Sequence, residues 1–344
     1  MDHEEPPLKP LVSVCVANFN GEKVLDLCLS SVMAQGTESS VEIIVHDDCS
    51  SDCSVALIRE RFPEVRLLTS EQNVGFCMSN NRMAAVAKGD YLLLLNNDTR
   101  LHHGALNALL FFQRVNPDAG ILTVPQYNMT TGELLDRGMF LDLFGNSIPN
   151  TREGTRDVAM VMGSCLWISR ELWQAIGGFP EWFGSIAEDL YLCCLARLYG
   201  KRVVAVDESG YDHKVGHSFG GGKVEASGLR SSLRRRALSE LNKNRVIATC
   251  YPSLSVLSLL PNSILLLLEG IALGAARRQP ALLTRVYLPA ILGIVVDWRR
   301  LGSMRRCIQR QRQIGLGPFF RPFRLRHQKL VLLLAHGFPE VRAE

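Results

Sequence analysis

The chain has 344 residues, of which 47% are hydrophobic and 21% charged. That is enough apolar material for a sizeable core without disulfide or metal staples, and it excludes disordered, collagen-like and small disulfide-scaffold classes. Charge is unevenly placed: residues 1–222 carry 17 Lys+Arg against 28 Asp+Glu, and residues 223–344 carry 21 against 6. An acidic part is followed by a basic part, which points to different partners for the two.

Residues 1–10 read as a loose tail. They are acidic and proline-bearing at the start, with no basic n-region and no apolar h-region, so no secretory signal is read there. Leu11–Ala17 (LVSVCVA) is a Val-rich run of strand length, broken by Asn18-Phe-Asn-Gly21. Lys23–Gln35 has helical spacing. Val41–His46 is the next strand, ending in a polar cluster that opens with Asp47 and Asp48. Cys53–Phe62 reads as a helix with Asp52 as its N-cap. Val65–Thr69 is a third strand, and Met78–Ala87 a helix after the turn Asn73-Val-Gly-Phe76. Tyr91–Leu95 (YLLLL) has no polar alternation, so it is expected at the sheet centre, covered on both faces. It runs into Asn96-Asn97-Asp98-Thr99.

This β-α-β-α-β-α-β order is that of a doubly wound, mostly parallel sheet. Helix 104–114 and strand 121–125 continue it. Residues 126–157 are polar and patternless, and are read as lining an acceptor cleft. An apolar run, 160–168, precedes a short helix, 170–176, with Ser169 as cap. Glu188-Asp189 opens the helix that follows, and Val203–Val206 is a last strand.

Polar residues recur just beyond strand ends, at Asn18 and Asn20, Asp47 and Asp48, and Asn96 and Asp98. In open α/β sheets that edge binds ligands. Taken singly, each is as readily a turn former or helix cap. Asp98, after the most buried strand, is placed to present a carboxylate rigidly to Mg²⁺ or Mn²⁺, with His213 as a second ligand. Asp189, at a helix start, is expected to stay ionised and act as a base. A plain acidic helix N-terminus is the competing reading for Glu188-Asp189. No P-loop, dinucleotide fingerprint or GxSxG elbow is present in the sequence. The ten cysteines contain no CxxC pair. Cys49-x3-Cys53 has no matching half, so scattered reduced thiols in a cytosolic compartment are expected rather than zinc.

Seven segments then occur in order: VSVCVANFNG (12–21), HDDCSSD (46–52), NVGF (73–76), KGDYLLLLNNDT (88–99), GGF (177–179), Glu188-Asp189 and HKVGHSFG (213–220). Together they resemble the GT-A-fold family 2 glycosyltransferases, in particular the bacterial rhamnosyltransferase-like branch. The resemblance implies inverting sugar transfer from a nucleotide-diphosphate sugar to a hydroxyl. It implies that Ala17 and Asn18 line the nucleotide pocket and that Asp47 contacts the base. Asn73, Gly75 and Asn97 lie on the donor side. Asp98 binds metal and diphosphate, His213 approaches both, and Asp189 of the Glu188-Asp189 pair deprotonates the acceptor. The triplet Asn96-Asn97-Asp98 carries one carboxylate where the family often has two. Met83, Tyr191 and Leu195 also depart from the usual pattern.

The basic third starts with Arg230, Arg234, Arg235, Arg236, Lys243 and Arg245 among apolar positions. Two apolar stretches follow, 254–275 and 281–296. Pro261, Asn262 and Glu269 interrupt the first, and arginines flank both. An interrupted apolar helix between arginines reads as lying on an anionic membrane surface rather than spanning it. Phe319, Phe320 and Phe323 beside arginines are read as a further interfacial wedge. Interleaved aromatics and a known module are missing, so nucleic acid is not expected as a partner.

The sequence thus predicts a loose tail (1–10), a GT-A domain (11–222) and a basic, helical, membrane-associating region (223–344). It is expected on the cytoplasmic face of a bacterial membrane, with a saccharide or lipid-linked acceptor. A nucleotidyltransferase on the same fold and a non-catalytic sugar-nucleotide-binding or scaffold protein are the alternatives.

Overall fold

The computed structural model describes residues 10–37, 39–214, 223–225 and 228–342. Short runs of β-branched and leucine residues form β1 (Val12–Asn18), β2 (Val41–Asp47), β3 (Arg66–Thr69) and β4 (Tyr91–Asn96). The connections are α1 (Leu25–Met33), α2 (Ser54–Arg61) and α3 (Phe76–Val86). Next come β5 (Thr99–Leu101), α4 (Ala105–Val115) and β6 (Ala119–Thr123). Four short strands follow: β7 (Gln126–Asn128), β8 (Leu134–Asp136), β9 (Met139–Asp142) and β10 (Ser147–Pro149). Then come β11 (Cys165–Ser169), α5 (Arg170–Ile176), α6 (Glu188–Leu198), β12 (Arg202–Ala205) and β13 (Tyr211–His213).

The central sheet has seven strands in the order β12-β6-β11-β4-β1-β2-β3. Every neighbour pair is parallel except those of β11 with β4 and β6. The chain winds outward from β1 to β3, then returns to place β4 on the other side of β1. The switch point therefore lies between β1 and β4, where an open α/β sheet leaves a crevice at its strand ends. The leucine run of β4 explains its central place. Leu92 and Leu94 join the core on one face, and Leu93 and Leu95 the core on the other.

Ser169 caps α5 as expected, accepting from Leu172 N at 3.1 Å. The Asp52 carboxylate accepts from Ser54 N at the start of α2 and from Glu22 N, each at 3.0 Å. The stretch that looked patternless is ordered by side chains that hydrogen-bond backbone, a signal without periodicity. The Asp142 carboxylate, for example, accepts from Phe144 N, Asn146 N and Gln328 N, all at 2.9 Å.

The basic third contains α7 (Leu233–Cys250), α8 (Leu259–Arg277), α9 (Leu288–Val296), α10 (Trp298–Arg310), α11 (Leu316–Phe320) and α12 (Gln328–His336). Val246, Ile247 and Cys250 of α7, Ile308 of α10 and Phe319 share one core with Leu190, Leu192 and Cys193 of α6. Phe319, Phe320 and Phe323 are not a wedge. They pack around Tyr251, with ring centroids 5.8, 5.3 and 6.0 Å away, because mutually tilted aromatic rings gain more in a core than at a wet surface.

Pro261 does not break α8, since it sits in the first turn, where its missing N–H has no partner to lose. Glu269 pairs with Arg236 and, at 2.8 Å, with Lys329. Lys329 and Lys243 also hold buried Glu240, at 2.9 and 3.1 Å. This ionic cluster ties α8 and α12 onto α7. Ser253–Arg277 is long and apolar enough to cross a membrane by length and composition, and 22% of its apolar window is buried.

Candidate active site

The C-terminal ends of β1, β2 and β4 are joined by side-chain amides and carboxylates. Asn97 Nδ2 donates to Asn18 Oδ1 at 2.7 Å, and Asn18 Nδ2 donates to Asp47 Oδ1 at 2.8 Å. Asp47 also accepts from Ser50 N at 3.0 Å and Ser50 Oγ at 2.6 Å. Ala17 lies in register with His46 on one side and Asn96 on the other, at the floor of this edge. A Cβ at Gly21 would fall 2.0 Å from Asn18 Oδ1 and 2.4 Å from Asn97 Nδ2, so only glycine fits over that pair.

Asp48 plays a part that the sequence reading gave to no single residue. Its carboxylate accepts from Val74 N at 2.7 Å and Gly75 N at 2.8 Å, and its carbonyl from Asn73 Nδ2 at 3.4 Å. That fixes the Asn73–Gly75 turn to the end of β2. Gly75 has φ +87°, a conformation side chains disfavour, and a Cβ there would stand 3.3 Å from the carbonyl oxygen of Gly184. The signal for Asp48 was the doubled aspartate, whose two members turn to different neighbours.

On the other side of β4, Asp98 is almost fully buried, and its Oδ1 lies 3.2 Å from His213 Nε2. The other imidazole nitrogen lies 3.1 Å from Gln126 Nε2. Tyr211 OH donates to Gln126 Oε1 at 2.7 Å and lies 2.8 Å from Ser164 Oγ. A line of buried polar groups thus orients the His213 ring, as supporting partners do around metal-binding imidazoles. His217 and the Gly220-Gly-Gly222 run lie outside the described residues.

Glu188 and Asp189 open α6 and are both buried. Ile186 and Ala187 before them have φ of +69° and +68°, a region that costs a non-glycine residue about 1–3 kcal/mol. Asp189 Oδ2 accepts from Gly163 N at 3.1 Å and Oδ1 from Leu190 N at 2.7 Å. Glu188 Oε2 has no hydrogen-bond partner among the described residues. Burial, together with the Asp189 charge, pushes the Glu188 carboxyl up to about 8. Burial pushes Asp189 up as well, against its backbone donors and the charge of nearby Arg235. The sequence reading expected the helix start to keep Asp189 ionised, and burial works against that. Two carboxyls at one buried site share a proton. Asp189 has the N–H donors that favour an anion, so the proton rests on Glu188.

The turn that holds Asp189 also reaches β4. Ser164, next to Gly163, accepts Asn96 N at 3.0 Å through its carbonyl. The carboxylate pair, the Asp98–His213 pair and the strand ends of β1 and β2 thus surround one sheet edge. Three of the four tryptophans offer no stacking face. Trp167 and Trp173 are core, and Trp182 is covered by the guanidiniums of Arg245 and Arg300, 4.3 and 4.1 Å from its ring centroid. Met83, Tyr191 and Leu195, where the sequence departs from the family pattern, are buried in the same core.

Residues 13–177 match the family Glycosyl transferase family 2. They thus resemble a family 2 glycosyltransferase domain. The fold of the chain is of the GT-A type: the mannosyltransferase PcManGT from Pyrobaculum calidifontis, in complex with GDP-Man and Mn²⁺, is similar with a TM-score of 0.53 at 17% identity. That likeness covers 89% of this chain and 87% of the other. The uncharacterized protein MT1568 of Mycobacterium tuberculosis is 36% identical over 104 residues, 30% of this chain and 32% of its own length. The N-acetylglucosaminyl-diphospho-decaprenol L-rhamnosyltransferase of M. tuberculosis is 27% identical over 219 residues, 55% of this chain and 71% of that enzyme. The chain spans about a third or less of the length of the first curated relatives it matches.

Proposed function

We propose that this glycosyltransferase moves a sugar, with rhamnose the leading choice, from a nucleotide-diphosphate sugar to a hydroxyl of a saccharide or lipid-linked acceptor, with inversion. The observation that carries this reading is the Gly163–Ser164 turn, which binds Asp189 on one side and the end of β4 on the other. Ala17, Asn18, Asp47, Asn73, Gly75 and Asn97 form the donor side in this reading. The relative named as an L-rhamnosyltransferase, on a decaprenol-diphosphate acceptor, supports the sugar and acceptor class.

Asp98 and His213 suit Mg²⁺ or Mn²⁺. They bring a carboxylate oxygen and an imidazole nitrogen within 3.2 Å of one another. Among the described residues no group of three or more His, Cys, Asp or Glu gathers to hold a metal. Two protein ligands would then share the ion with diphosphate oxygens and water, which both metals accept. When bound, the ion supplies positive charge to the departing diphosphate. For Nε2 to be a ligand, Nδ1 of His213 must carry the proton, which requires the Gln126 amide to turn its oxygen toward Nδ1 in place of the nitrogen that now faces it.

The acceptor hydroxyl has a pKa far above neutrality, so it gives up its proton as the bond forms. Asp189 takes that proton. The acceptor oxygen forms the new bond to the anomeric carbon on the face opposite the leaving group. The bond to the diphosphate breaks, and its electron pair leaves with the nucleotide. Glu188, holding its own proton, keeps a second negative charge out of the buried site.

The outer faces of α8 and α9, rimmed by arginines, support peripheral association with an anionic membrane, on its cytoplasmic face, where a lipid-linked acceptor lies. Asp189→Asn, with the same volume and no basicity, tests the chemistry: UDP or GDP binding with Mn²⁺ is retained and transfer is lost. Wild-type turnover in that variant would remove Asp189 as the base. Asp98→Ala weakens Mn²⁺-dependent nucleotide binding about tenfold or more, and unchanged binding would remove the metal assignment.

A further inference from the structure

The loop before the carboxylate pair is held from the basic third of the chain. Asn242 of α7 is fully buried. Its Nδ2 faces the carbonyls of Phe183, Ser185 and Ile186 at 3.2, 3.1 and 2.9 Å, which share its two N–H groups. Its Oδ1 accepts from Arg245 Nη1 at 2.9 Å, which fixes the amide orientation. Arg245 is itself anchored, donating from Nη2 to Asp297 Oδ2 at 2.7 Å and stacking on Trp182 at the head of the same loop. The loop needs such restraint, since Ile186 and Ala187 both have left-handed backbone and neither is glycine. A buried carbonyl without a donor is costly, so three of them define where Asn242 must sit and where the loop must pass.

We propose that Asn242 is a positioning residue for the Glu188–Asp189 pair: its amide, locked by Arg245 and Asp297, holds residues 183–187 in the conformation that keeps both carboxyls buried at the sheet edge. The catalytic consequence rests on the reading of Asp189 as the base. The positioning itself does not. Asn242 touches no reacting atom in this arrangement. It sets the geometry and the dryness of the groups that do, which is what a preorganised site requires.

The test uses the full chain and two readouts, amide hydrogen exchange of residues 186–190 and the titration of the Glu188 carboxyl followed by ¹³C NMR. Asn242→Ala raises exchange of those amides about tenfold or more, because the loop opens locally. The Glu188 titration moves down by about one pH unit or more as the pair becomes solvated. Asn242→Asp keeps the shape and the acceptor for Arg245, yet turns an oxygen toward three carbonyls, and gives the same two changes. If neither variant folds, Arg245→Met, which releases the amide without removing it, decides the matter with smaller shifts in the same directions. Folded variants with wild-type exchange and wild-type titration overturn the proposal. So does exchange that rises equally throughout α6 and α7, which marks general destabilisation. Wild-type turnover in Asp189→Asn would overturn the base assignment alone and leave these readouts standing.

Discussion

Gly163 donates its backbone N–H to Asp189 at 3.1 Å, and no such donor reaches Glu188 Oε2 among the described residues. One carboxyl of an adjacent pair is thereby built to be an anion and the other to be an acid. The consequence is a definite pH dependence. Glu188, ordinarily near 4.5, is pushed up to about 8 by burial and by Asp189. Between those values the folded protein keeps a proton that the unfolded chain has lost. Stability therefore falls as pH rises through that window, and the loss is complete above about 8. Glu188→Gln has no proton to lose. Its melting temperature is expected to exceed that of the wild type by a few degrees at pH 8, the gap closing toward pH 5. Calorimetric scans of both proteins across that range check it, and parallel curves would show that Glu188 is not the protonated partner.

The parallel half of the fold was legible because its strands are short apolar runs separated by helices of clear period. The four leucines of β4 reported their burial on both faces directly. The candidate site's geometry was legible where its residues sit beside each other in sequence, as Asp47 and Asp48 or Glu188 and Asp189 do. It was not legible where a distant residue supplies a support. Asn242 lies in a helix crowded with arginines, and nothing in that pattern marks it as the residue that holds a loop nearly sixty positions upstream. The phenylalanines at 319–323 misled for a related reason. Neighbouring arginines suggested an interface, yet Arg197 donates to the carbonyls of Pro318 and Phe319 at 2.9 and 2.7 Å and draws the segment inward.

Gly21 is the site glycine whose replacement is most costly by geometry. An added methyl would stand 2.0 Å from Asn18 Oδ1, so either the Asn97–Asn18 hydrogen bond or the β1–α1 turn must move. Gly21→Ala is expected to lose about 1–3 kcal/mol of stability by overpacking. On the proposed function it also lowers Mn²⁺-dependent binding of UDP or GDP, since the displaced amides join the strand ends proposed as the donor side. Gly302→Ala in α10 is the control, where the methyl meets nothing closer than 3.7 Å and helix propensity improves. Urea titration and nucleotide calorimetry on both variants separate the two effects. Equal behaviour would mean that the turn above Asn18 and Asn97 is free to shift.

The helix Ser253–Arg277 has two faces with opposite demands. Asn262, Leu266, Gly270, Leu273 and Gly274 are packed inward, and Glu269 is bound by Arg236 and Lys329. Leu260, Ile264, Leu268 and Ile271 point outward and are more than half exposed. Pulling the helix into a bilayer as a bare span would strip Glu269 of its partners and bury its charge in lipid. Resting the outer face on the surface keeps every ion pair and buries only apolar side chains, with Arg277 and Arg278 at the headgroups. Deleting residues 223–344 cannot test this, because Val246, Ile247 and Cys250 belong to the core shared with α6. The double substitution Ile264→Asp with Leu268→Asp leaves that core intact. It is expected to weaken binding to vesicles containing anionic lipid by about tenfold or more, with UDP or GDP binding unchanged. Wild-type binding should also fall as salt is raised, since the arginine attraction is screened over about 10 Å at 0.1 M. Co-sedimentation with anionic and with zwitterionic vesicles reads both effects, and unaltered sedimentation of the double variant would exclude α8 as the membrane-facing surface.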